Sequence, residues 1–478
     1  MKTTYNINAF LQPASVAVIG ATDRPASWGS FMLEGLFSWK FPGRIYPVNR
    51  QGRTVYGLPV YKDVRDIGEP IELAILTIPN EYVEEAIKAC GEKGVHGITI
   101  ITAGFSEAIE GGRKREIAMA ELARSYGMRL LGPNVSGTFN FHAGFNASAA
   151  DLWPGHLYPT SLAAVCQGGY AFYDLLALGF PLRMGVGQFI HTGNECDLTV
   201  TDFLEHFGSD PEVKALLMYI ETLRDGGRFL EVARRVTKEK PVIVYKAGKT
   251  SDAARAASSH TGALAGRKEI FEGVLRQAGI IISPTMELLL PLGHALIERP
   301  PMRGRRVGIV TIGGSWGVAL TDALGEEGLS VPELSSSLQE KIRAIGMPER
   351  ASTKNPIDIG AAGITALANE RKEVGRVMLD SGEVDALILH GMGRVGMLTA
   401  ETSDMMKNFF EFEKTIIRAF SGLEKETGKP VFIGSHFSIW ESQVVSDLNN
   451  EGIRIYNRLD EIAQILSWMH TMYRRGLS

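Results

Sequence analysis

The residues best suited to covalent chemistry lie in a loop of small residues, 248–266, with the sequence GKTSDAARAASSHTGALAG. The loop presents His260 among Ala, Ser and Gly, so the imidazole has few large neighbours to pack against. Lys249, Arg255 and Arg267 add positive charge nearby. A neutral imidazole attacks a phosphoryl group when its second nitrogen is held by an acceptor. The loop therefore predicts that His260 is a phosphorylatable nucleophile, although a lone histidine is more often structural.

The acceptor that such a histidine needs is predicted to be Glu221. It ends the apolar run ALLMYIE, which is typical of a buried parallel strand. A carboxylate at the carboxyl end of a strand lies in the crevice where open α/β sheets bind ligands. There it would bind the imidazole Nδ1–H, fix the tautomer and stabilise the charge gained on phosphorylation. Capping of a neighbouring helix and simple solvent exposure stay open as alternatives.

Two glycine-rich turns are candidates to hold the phosphate. Each follows a predicted strand and begins a predicted helix, where backbone N–H groups and the helix dipole favour an anion. The predicted phosphate-binding residues are Gln167, Gly168 and Gly169 in the first turn and Gly313, Gly314 and Ser315 in the second. Glycine is common at turns for conformational reasons, so each turn alone is a weak indication.

The elements that position these residues alternate between strands and helices. Short apolar runs such as SVAVIG, ELAILTIP and GITIITAG are separated by amphipathic stretches, a pattern typical of parallel βαβ units. The alternation repeats three times, so we expect three α/β domains, at 1–150, 151–300 and 301–478. The first boundary falls in the loop-like segment FHAGFNASAADLWPGHLYPT and the second in the linker ERPPMRGRR.

The first domain is predicted to bind a nucleotide-like ligand at its strand ends. Its first strand runs into the turn Gly20-Ala21-Thr22-Asp23, beside a helix N-terminus that favours phosphate. The spacing is not GxGxxG, and the second strand ends in Asn49-Arg50 where an NAD site prefers an acidic residue. Arg50 suits a phosphorylated ribose instead. An NAD-dependent enzyme is therefore the disfavoured alternative.

Charge and composition exclude several classes of function. The 478 residues carry a net charge of −4, which gives no field that attracts nucleic acid or an anionic membrane. Three scattered cysteines argue against disulfides and zinc, and they suit a reducing cytosol. No signal peptide, membrane span, Walker A motif or metal-ligand spacing is apparent. We expect a cytoplasmic protein without a bound metal.

Three other features are predicted to be structural. Cys166 lies beside the first glycine turn, but nothing near it in sequence serves as a base, so we expect a buried, inert thiol. His191 ends a strand near Asn194, so lining of the substrate pocket stays open, while a core or supporting histidine is the favoured interpretation. The segment KNPID at 354–358 is interpreted as a structural or interface turn.

Five segments of the first domain carry a family resemblance: IGATDRP, YPVNR, ILTIPNE, ITAGFSE and GPNVSG, in that order. They resemble the CoA-binding domain of succinyl-CoA synthetase-like proteins, above all the alpha subunits of ADP-forming acyl-CoA synthetases. The resemblance implies a Rossmann-like domain that binds CoA phosphates near Gly20–Asp23 and Asn49–Arg50. It also implies pantetheine contacts near Ile78, Pro79, Ala103 and Gly104, with Asn134 near the thiol.

The second domain resembles the same family in PVIVYKAGKT, in SSHTGALAG and in the strand that ends YIE. In that family the histidine of the HTGALAG motif is phosphorylated and the glutamate supports it, which implies these roles for His260 and Glu221. The implied architecture is the CoA-binding domain followed by two flavodoxin-like domains. The implied reaction is acyl-CoA + phosphate + ADP ⇌ carboxylate + CoA + ATP, with CoA and a small carboxylate as ligands. The family's ATP-grasp domain is not visible here, so we expect a beta subunit that supplies ATP/ADP and Mg²⁺, in an α2β2 assembly.

The chain departs from the family pattern at the presumed acyl and phosphate end. CQGGYA stands for SQSGAL, so a hydroxyl is missing at Gly168 and Tyr170 is bulky. Val135, Thr222 and Trp316 also differ from the family residues. These changes leave the acid open and put acetate in doubt. A non-catalytic CoA-binding regulatory module is the remaining alternative, and the retained His260 and Glu221 argue against it.

Overall fold

The computed structural model describes residues 7–52, 54–148, 157–250, 252–253, 268–347, 351–359 and 368–477. The chain divides into two compact units, Met1–Gly293 and His294–Ser478, each with its own hydrophobic core. Within the described ranges, every helix is too short or too polar to cross a bilayer.

The first unit begins with a five-stranded parallel sheet. Its strands are β1 (Ser15–Ile19), β2 (Arg44–Val48), β3 (Leu73–Leu76), β4 (Gly97–Ile100) and β5 (Arg129–Leu131). Its helices are α1 (Trp28–Ser38), α2 (Val83–Lys93) and α3 (Gly112–Ser125). The strand order is β2-β1-β3-β4-β5, so the direction of winding reverses between β1 and β3. The ligand crevice of such a sheet lies at the carboxyl ends of these two strands.

A second sheet in the same unit has seven strands. They are β6 (Gly137–Asn140), β7 (Phe145–Ser148), β8 (Leu162–Cys166), β9 (Gln188–His191), β10 (Ala215–Ile220), β11 (Val242–Lys246) and β12 (Ile281–Ile282). The helices are α4 (Gly169–Gly179), α5 (Val200–Ser209), α6 (Gly226–Val236), α7 (Lys268–Gln277) and α8 (Leu289–Glu298). The strand order is β12-β11-β10-β8-β9-β6-β7. The parallel strands are continuous apolar runs, which is why the sequence predicted them well.

The second sheet is mostly parallel, as expected, but it contains two antiparallel pairings that the sequence did not predict. The segment that we interpreted as a loop contains β7, and β6 pairs antiparallel with both β7 and β9. Neither strand is a long β-branched run, and both are buried by their neighbours in the sheet. The two strands before residue 150 thus belong to the second sheet.

The second unit is built on a parallel sheet. Its strands are β13 (Val307–Thr311), β14 (Ile357–Asp358), β15 (Ala386–His390), β16 (Val431–Gly434) and β17 (Ile455–Tyr456). Its helices are α9 (Gly314–Glu326), α10 (Ser336–Ala344), α11 (Ala368–Asp380), α12 (Asp404–Thr427), α13 (Gln443–Asn450) and α14 (Leu459–Arg474). The order β14-β13-β15-β16-β17 is the flavodoxin-like one. The three expected α/β sheets are confirmed.

Candidate active site

Glu221 lies directly after β10, at the carboxyl edge of the second sheet, and is 5% exposed. Its N–H donates to Oε1 of Gln167 over 2.6 Å, and its carbonyl accepts from Nζ of Lys246 over 2.8 Å. Tyr219, two residues earlier on the same side of the strand, hydrogen-bonds the Glu221 carboxylate. Burial and the charge of Glu221 raise the pKa of Tyr219, so its phenol stays protonated and donates. The carboxylate is therefore anchored at the strand end.

Gln167 anchors this strand end through its side chain. Its Oε1 accepts from the N–H groups of Glu221 and Thr222, the latter over 2.9 Å, and its Nε2 donates to the Thr222 carbonyl over 2.8 Å. Its own N–H already donates to the Tyr219 carbonyl over 3.1 Å. We expected Gln167 to offer this N–H to a phosphate, whereas the structure uses it to join β8 to β10.

The ring of His191 packs against the glycine turn at Gly169. The N–H of Ser136 donates to Nδ1 over 2.7 Å, so Nδ1 is an acceptor and the proton is on Nε2, which donates to the Gln167 carbonyl over 2.8 Å. Both nitrogens are thus satisfied, which confirms the prediction of a core or supporting histidine. A methyl group on Gly169 would lie 2.5 Å from Nδ1 and 2.2 Å from Oγ of Ser136. The close approach of this histidine is why only glycine fits at position 169.

Gly168 stands next to the anchored carboxylate. Its φ of −104° suits any residue, so glycine is not required by the backbone. A methyl group here would lie 3.3 Å from Oε1 of Glu221 and 2.9 Å from a ring carbon of Tyr219. The hydroxyl that the family pattern places at this position would therefore lie beside Glu221, and the chain lacks it.

Lys246 is a site residue that the sequence analysis missed. It ends β11, is 3% exposed, and donates to the carbonyls of both Glu221 and Ala247. Ala247 begins the segment that leads into the His260 loop. Burial lowers the pKa of Lys246, and the charge of Glu221 opposes this effect. A lysine at the end of the apolar run VIVYK was the available signal, because a buried lysine is rare without partners.

A cavity of about 910 Å³ connects this strand end to the first sheet. Its wall combines residues predicted for CoA with residues predicted for phosphate chemistry: Ile78, Pro79, Ala103 and Asn134 from the first set, and Gln167, Gly168, Gly169 and Glu221 from the second. Ala253, from the segment before His260, also lines it. The structure thus brings the two predicted sets together around one space.

The amide of Asn134 has a fixed direction in this cavity. Its Nδ2 donates to Oδ1 of Asn194 over 3.2 Å. Nδ2 of Asn194 in turn donates to Glu116 over 2.8 Å and to Glu107. Since carboxylates only accept, Asn194 cannot be turned over, and Asn134 must present its Nδ2 to it. The Asn134 oxygen therefore faces away from Asn194, and Asn134 is one of the residues that line the cavity.

A second cavity, of about 670 Å³, adjoins the first and shares Arg24, Thr77, Ile78 and Pro79 with it. Seven of the predicted CoA residues line it at the carboxyl edge of the first sheet: Gly20, Thr22, Asp23, Asn49, Arg50, Ile78 and Pro79. Ala21 and Gly104 are not among the described residues that line either cavity. Asn49 Nδ2 donates to the Ala21 carbonyl over 2.8 Å, so Asn49 holds the turn together. Arg50 lies over the Tyr82 ring at 4.8 Å and pairs with Glu85 over 2.8 Å at the surface.

The second glycine turn begins α9 in the second unit. The N–H of Gly313 donates to Oδ1 of Asp358 over 3.1 Å, and Gly313 adopts a φ of 116° that favours glycine. Gly314 and Ser315 form the first turn of the helix. The ring of Trp316 stacks on His436, with 3.4 Å between ring centroids. The prediction of a strand-to-helix turn is confirmed, and the neighbouring histidines were missed.

The predicted nucleophile lies outside the described residues. His260, Arg255 and Arg267 fall in the range 254–267. Lys249 is described, and its Nζ donates to the Pro284 carbonyl over 2.9 Å. Cys166 is fully buried, as predicted, and burial raises the pKa of its thiol well above the ordinary value, which disfavours the reactive thiolate.

The segment KNPID makes the contacts expected of a structural turn, and the interface alternative stays a prediction. Oδ1 of Asn355 accepts from the N–H of Ile309, and Nδ2 donates to the carbonyls of Val307 and Pro332 over 3.0 Å each. Asn355 thereby holds β13 and the segment before β14 together.

Comparison with known proteins agrees with this geometry. A CoA binding domain model matches residues 14–139, and a succinyl-CoA ligase like flavodoxin domain model matches residues 159–296. The alpha subunit of acetate–CoA ligase [ADP-forming] II from Pyrococcus furiosus is 35% identical over 460 residues, which cover 96% of each chain. The alpha subunit of isoenzyme I from the same organism is 34% identical and covers 97% of each chain.

A solved structure matches over the same extent. Acetyl-coenzyme A synthetase 1 of Ca. Korarchaeum cryptofilum, in complex with phosphate and ADP, superposes with a TM-score of 0.83 at 31% identity. The match covers 98% of this chain and 97% of that one. The chain therefore belongs to the family of the alpha subunits of ADP-forming acetate–CoA ligases, within the succinyl-CoA synthetase superfamily.

Proposed function

We propose that this chain is the alpha subunit of an ADP-forming acyl-CoA synthetase, which interconverts acyl-CoA + phosphate + ADP and carboxylate + CoA + ATP. The observation that carries the proposal is the pair of adjoining cavities in the first unit. Together they extend from the turn at Gly20, past Ile78 and Asn134, to the anchored carboxylate of Glu221. A CoA molecule bound along the first sheet would bring its thioester to Glu221.

The proposed reaction has two steps on this chain: formation of an acyl phosphate and transfer of its phosphoryl group to His260. A phosphate oxygen bonds to the thioester carbonyl carbon, the C–S bond breaks, and CoA leaves as the thiolate, which gives an acyl phosphate. The unprotonated nitrogen of His260 then bonds to phosphorus while the P–O bond to the carboxylate breaks. Glu221 holds the other imidazole N–H and stabilises the positive charge that forms on the ring.

The residues around the reacting end of the cavity differ from the family pattern in ways that bear on which carboxylic acid is the substrate. Gly168 removes the hydroxyl next to Glu221, and Val135 adds an apolar wall to the same cavity. Both changes favour an acid other than acetate. Asn134 lines the same cavity, and in this proposal its amide oxygen accepts a hydrogen bond from the thiol end of CoA.

Transfer of the phosphoryl group to ADP requires a partner in this proposal. The partner is a beta subunit with an ATP-grasp domain, which binds ADP or ATP with Mg²⁺, and the assembly is α2β2. The naming of the relatives as alpha subunits supports a partner subunit. An ADP β-phosphate oxygen would take the phosphoryl group from His260 as the N–P bond breaks.

The division of labour that we propose follows the predicted domains. Residues 1–150 bind CoA, 151–300 carry the phosphohistidine loop, and 301–478 supply the second phosphate turn. The three cysteines are buried and unpaired, which suits the reducing cytoplasm in which we place the protein.

Phosphohistidine formation tests the proposal directly. The wild-type chain, incubated with an acyl-CoA panel, labelled phosphate and the partner subunit, should acquire base-stable, acid-labile phosphate. His260→Ala should acquire none, while His96→Ala, an exposed histidine of the first unit, should match wild type. Label that persists in His260→Ala would refute the mechanism. Thermal stabilisation by NAD and not by CoA would refute the CoA site and favour the NAD-dependent alternative.

A further inference from the structure

Asn194 lies where three loops of the first unit meet. It belongs to the turn after β9 of the second sheet, and it contacts the loops that follow β4 and β5 of the first sheet. Its N–H donates to the Pro133 carbonyl over 3.0 Å, and its carbonyl accepts from Nη2 of Arg224 over 2.6 Å. The residue is 1% exposed, so its backbone is held on both sides within the protein.

The glycine before Asn194 lets two of these loops approach closely. Gly193 has a φ of 58°, in the left-handed region that favours glycine. A methyl group there would lie 2.3 Å from the Pro133 carbonyl oxygen and 2.7 Å from that of Asn134. Asn134 has a φ of 61°, which asparagine tolerates better than most residues. The backbones of Asn134 and Asn194 are therefore fixed relative to each other, and their side-chain amides are left to be oriented.

Two carboxylates orient the amide of Asn194. Its Nδ2 donates to Oε1 of Glu116 over 2.8 Å and to Oε2 of Glu107. Glu116 is wholly buried, and it also accepts from the Ser106 N–H over 3.1 Å and from Nη1 of Arg113 over 3.0 Å. Each of these partners is an N–H donor, so Glu116 acts as an acceptor. The nitrogen of the Asn194 amide must therefore face the carboxylates, and its oxygen must face the other way.

The oxygen of Asn194 orients Asn134 in turn. It accepts from Nδ2 of Asn134 over 3.2 Å. The Asn134 oxygen faces away from this contact, and it accepts no hydrogen bond from the described residues. Asn134 lines the larger cavity, whereas Glu107 and Glu116 lie outside its lining. The direction of an amide at the cavity is thus set by carboxylates that do not reach the cavity.

This direction matters for the pantetheine arm of CoA in the proposed function. The last amide of that arm is joined to the sulfur by a short ethylene link. Its N–H is the hydrogen-bond donor nearest the thioester, because an acylated sulfur carries no proton. An amide oxygen of Asn134 accepts from this N–H, whereas a reversed amide would oppose it with a second donor. The orientation therefore decides whether Asn134 binds the arm or repels it.

We propose that Asn194 is a positioning residue for the thioester end of CoA. Held by Glu107 and Glu116, it turns the Asn134 oxygen toward the last amide N–H of the pantetheine arm. The inference rests on the proposed function, in which CoA binds along the first sheet. It adds a residue from the second sheet whose effect on CoA passes through Asn134.

The test compares CoA with an analogue in which an ester oxygen replaces this N–H. Calorimetric titration of the full-length chain measures the affinity for both ligands. Wild type should bind CoA about three- to tenfold more tightly than the ester, the range expected for one neutral hydrogen bond. Asn134→Ala should bind the two ligands with equal affinity. Equal binding by wild type, or a preference that persists in Asn134→Ala, would overturn the contact.

Variants of the network separate positioning from packing. Asn194→Ala releases the Asn134 amide, so the preference for CoA over the ester should fall below about twofold. Glu107→Gln/Glu116→Gln keeps the size of both side chains but lets Asn194 turn over, since a glutamine nitrogen can donate to its oxygen, and the preference should fall as well. Glu121→Gln, exposed on α3, is the control and should keep the wild-type preference. A wild-type preference in either network variant would overturn the positioning role.

A double-substitution cycle gives a readout that a purely structural role would not produce. If Asn194 acts through Asn134, adding Asn194→Ala to Asn134→Ala should change the CoA affinity by less than about twofold. Independent, additive losses would overturn the proposal. The nucleotide fragment of CoA, which lacks the pantetheine arm, should bind every variant equally if each is folded. If Asn194→Ala fails this check, the glutamine variant decides.

The wild-type chain distinguishes failure of this inference from failure of the proposed function. An unchanged preference in the network variants, with His260 still phosphorylated, would refute only the role of Asn194. A wild-type chain that binds CoA with the expected preference but acquires no phosphate on His260 would refute the proposed function and leave the role of Asn194 in place. A chain that binds no CoA would refute both.

Discussion

The two glycine turns share a strand-to-helix geometry but differ in how their neighbours are satisfied. Beside the turn at Gly168, the side-chain oxygen and nitrogen of Gln167 both hydrogen-bond the residues that follow β10. Both ring nitrogens of His191 also have hydrogen-bond partners. Beside the turn at Gly313, His390 and His436 each keep a buried nitrogen without a partner among the described residues. The network at the first edge holds the Glu221 carboxylate in place, whereas the second edge has two imidazole nitrogens for which the described residues supply no partner.

This difference has an energetic meaning. A satisfied network fixes its members without help, so the position of Glu221 is set before any substrate binds. A network with open positions is destabilised until a ligand fills them. We therefore expect changes at the first edge to act on catalysis and folding, and changes at the second to act on ligand affinity. Four predictions test this contrast.

The largest expected effect is that of Glu221→Gln. The amide keeps the size of the side chain but removes the charge that stabilises an imidazolium. It also replaces one of the two acceptor oxygens by an NH₂ group, which cannot accept the imidazole N–H. Phosphorylation of His260 should slow by about 10²–10³-fold in rapid-quench measurements, with CoA affinity unchanged. Glu212→Gln, exposed on the segment before β10, is the control. A wild-type rate in Glu221→Gln would show that the anchored carboxylate is not catalytic.

Lys246→Met should cost mainly stability. The variant leaves the carbonyls of Glu221 and Ala247 without their buried donor, and each unsatisfied carbonyl costs about 1–3 kcal/mol. We expect the free energy of unfolding in urea to fall by about 3 kcal/mol, with Lys238→Met, on the surface, unchanged. A loss below about 0.5 kcal/mol would mean that water replaces the ammonium group and that the strand ends need no anchor.

The two edges should respond oppositely to acid. Burial raises the pKa of Glu195, in the turn after β9, from 4.5 to about 7. The folded chain therefore keeps a proton that the unfolded chain loses, and this contribution is complete below pH 4.5 and lost as the pH rises through 7. Burial lowers the pKa of His390 from 6.5 to about 4. Its contribution is complete above pH 6.5 and lost as the pH falls through 4, and each is worth up to about 3 kcal/mol.

Pulse proteolysis in urea, with fragments assigned to each unit, measures this contrast between pH 4.5 and 7. The wild-type first unit should gain more stability on acidification than its Glu195→Gln variant, and the wild-type second unit should lose more than its His390→Asn variant. Glu461 in α14, whose pKa burial also raises to about 7, adds a trend of the opposite sign to the second unit, so each residue is read from its own variant. A variant with the same pH dependence as wild type would contradict the assignment of that group.

The sequence predicted the positions of the strand ends better than the partners of the side chains there. Apolar runs identified the buried parallel strands, and topology then placed Glu221 and the glycine turns at one edge of each sheet. Partners depend on which strands become neighbours, and the order in the second sheet is not readable from the chain. Gln167 reaches Glu221 only because β8 lies beside β10.

The missed features have the same origin. β6 and β7 are short and lack a strong alternating pattern, and they form strands because β6 pairs with β9 and β7 pairs with β6. Lys246 and His390 end apolar runs in the sequence, as Glu221 does, yet only Glu221 had a family motif to single it out. A polar residue that ends a continuous apolar run is the common signal for all three.

Alanine substitutions at the adjacent glycines 168 and 169 have the smallest expected effects, and they test how rigid the hydrogen-bonded network beside the first turn is. In Gly169→Ala the methyl group would meet Oγ of Ser136 and the hydrogen-bonded ring of His191, which is held on both sides and cannot yield. We expect a loss of about 1–3 kcal/mol. In Gly168→Ala the methyl group meets the edge of Tyr219, which is only half-buried and can shift, so the loss should stay below about 1 kcal/mol. Urea unfolding of both variants measures the two free energies of unfolding. Equal decreases would mean that Ser136 and His191 move aside for a methyl group as easily as Tyr219 does.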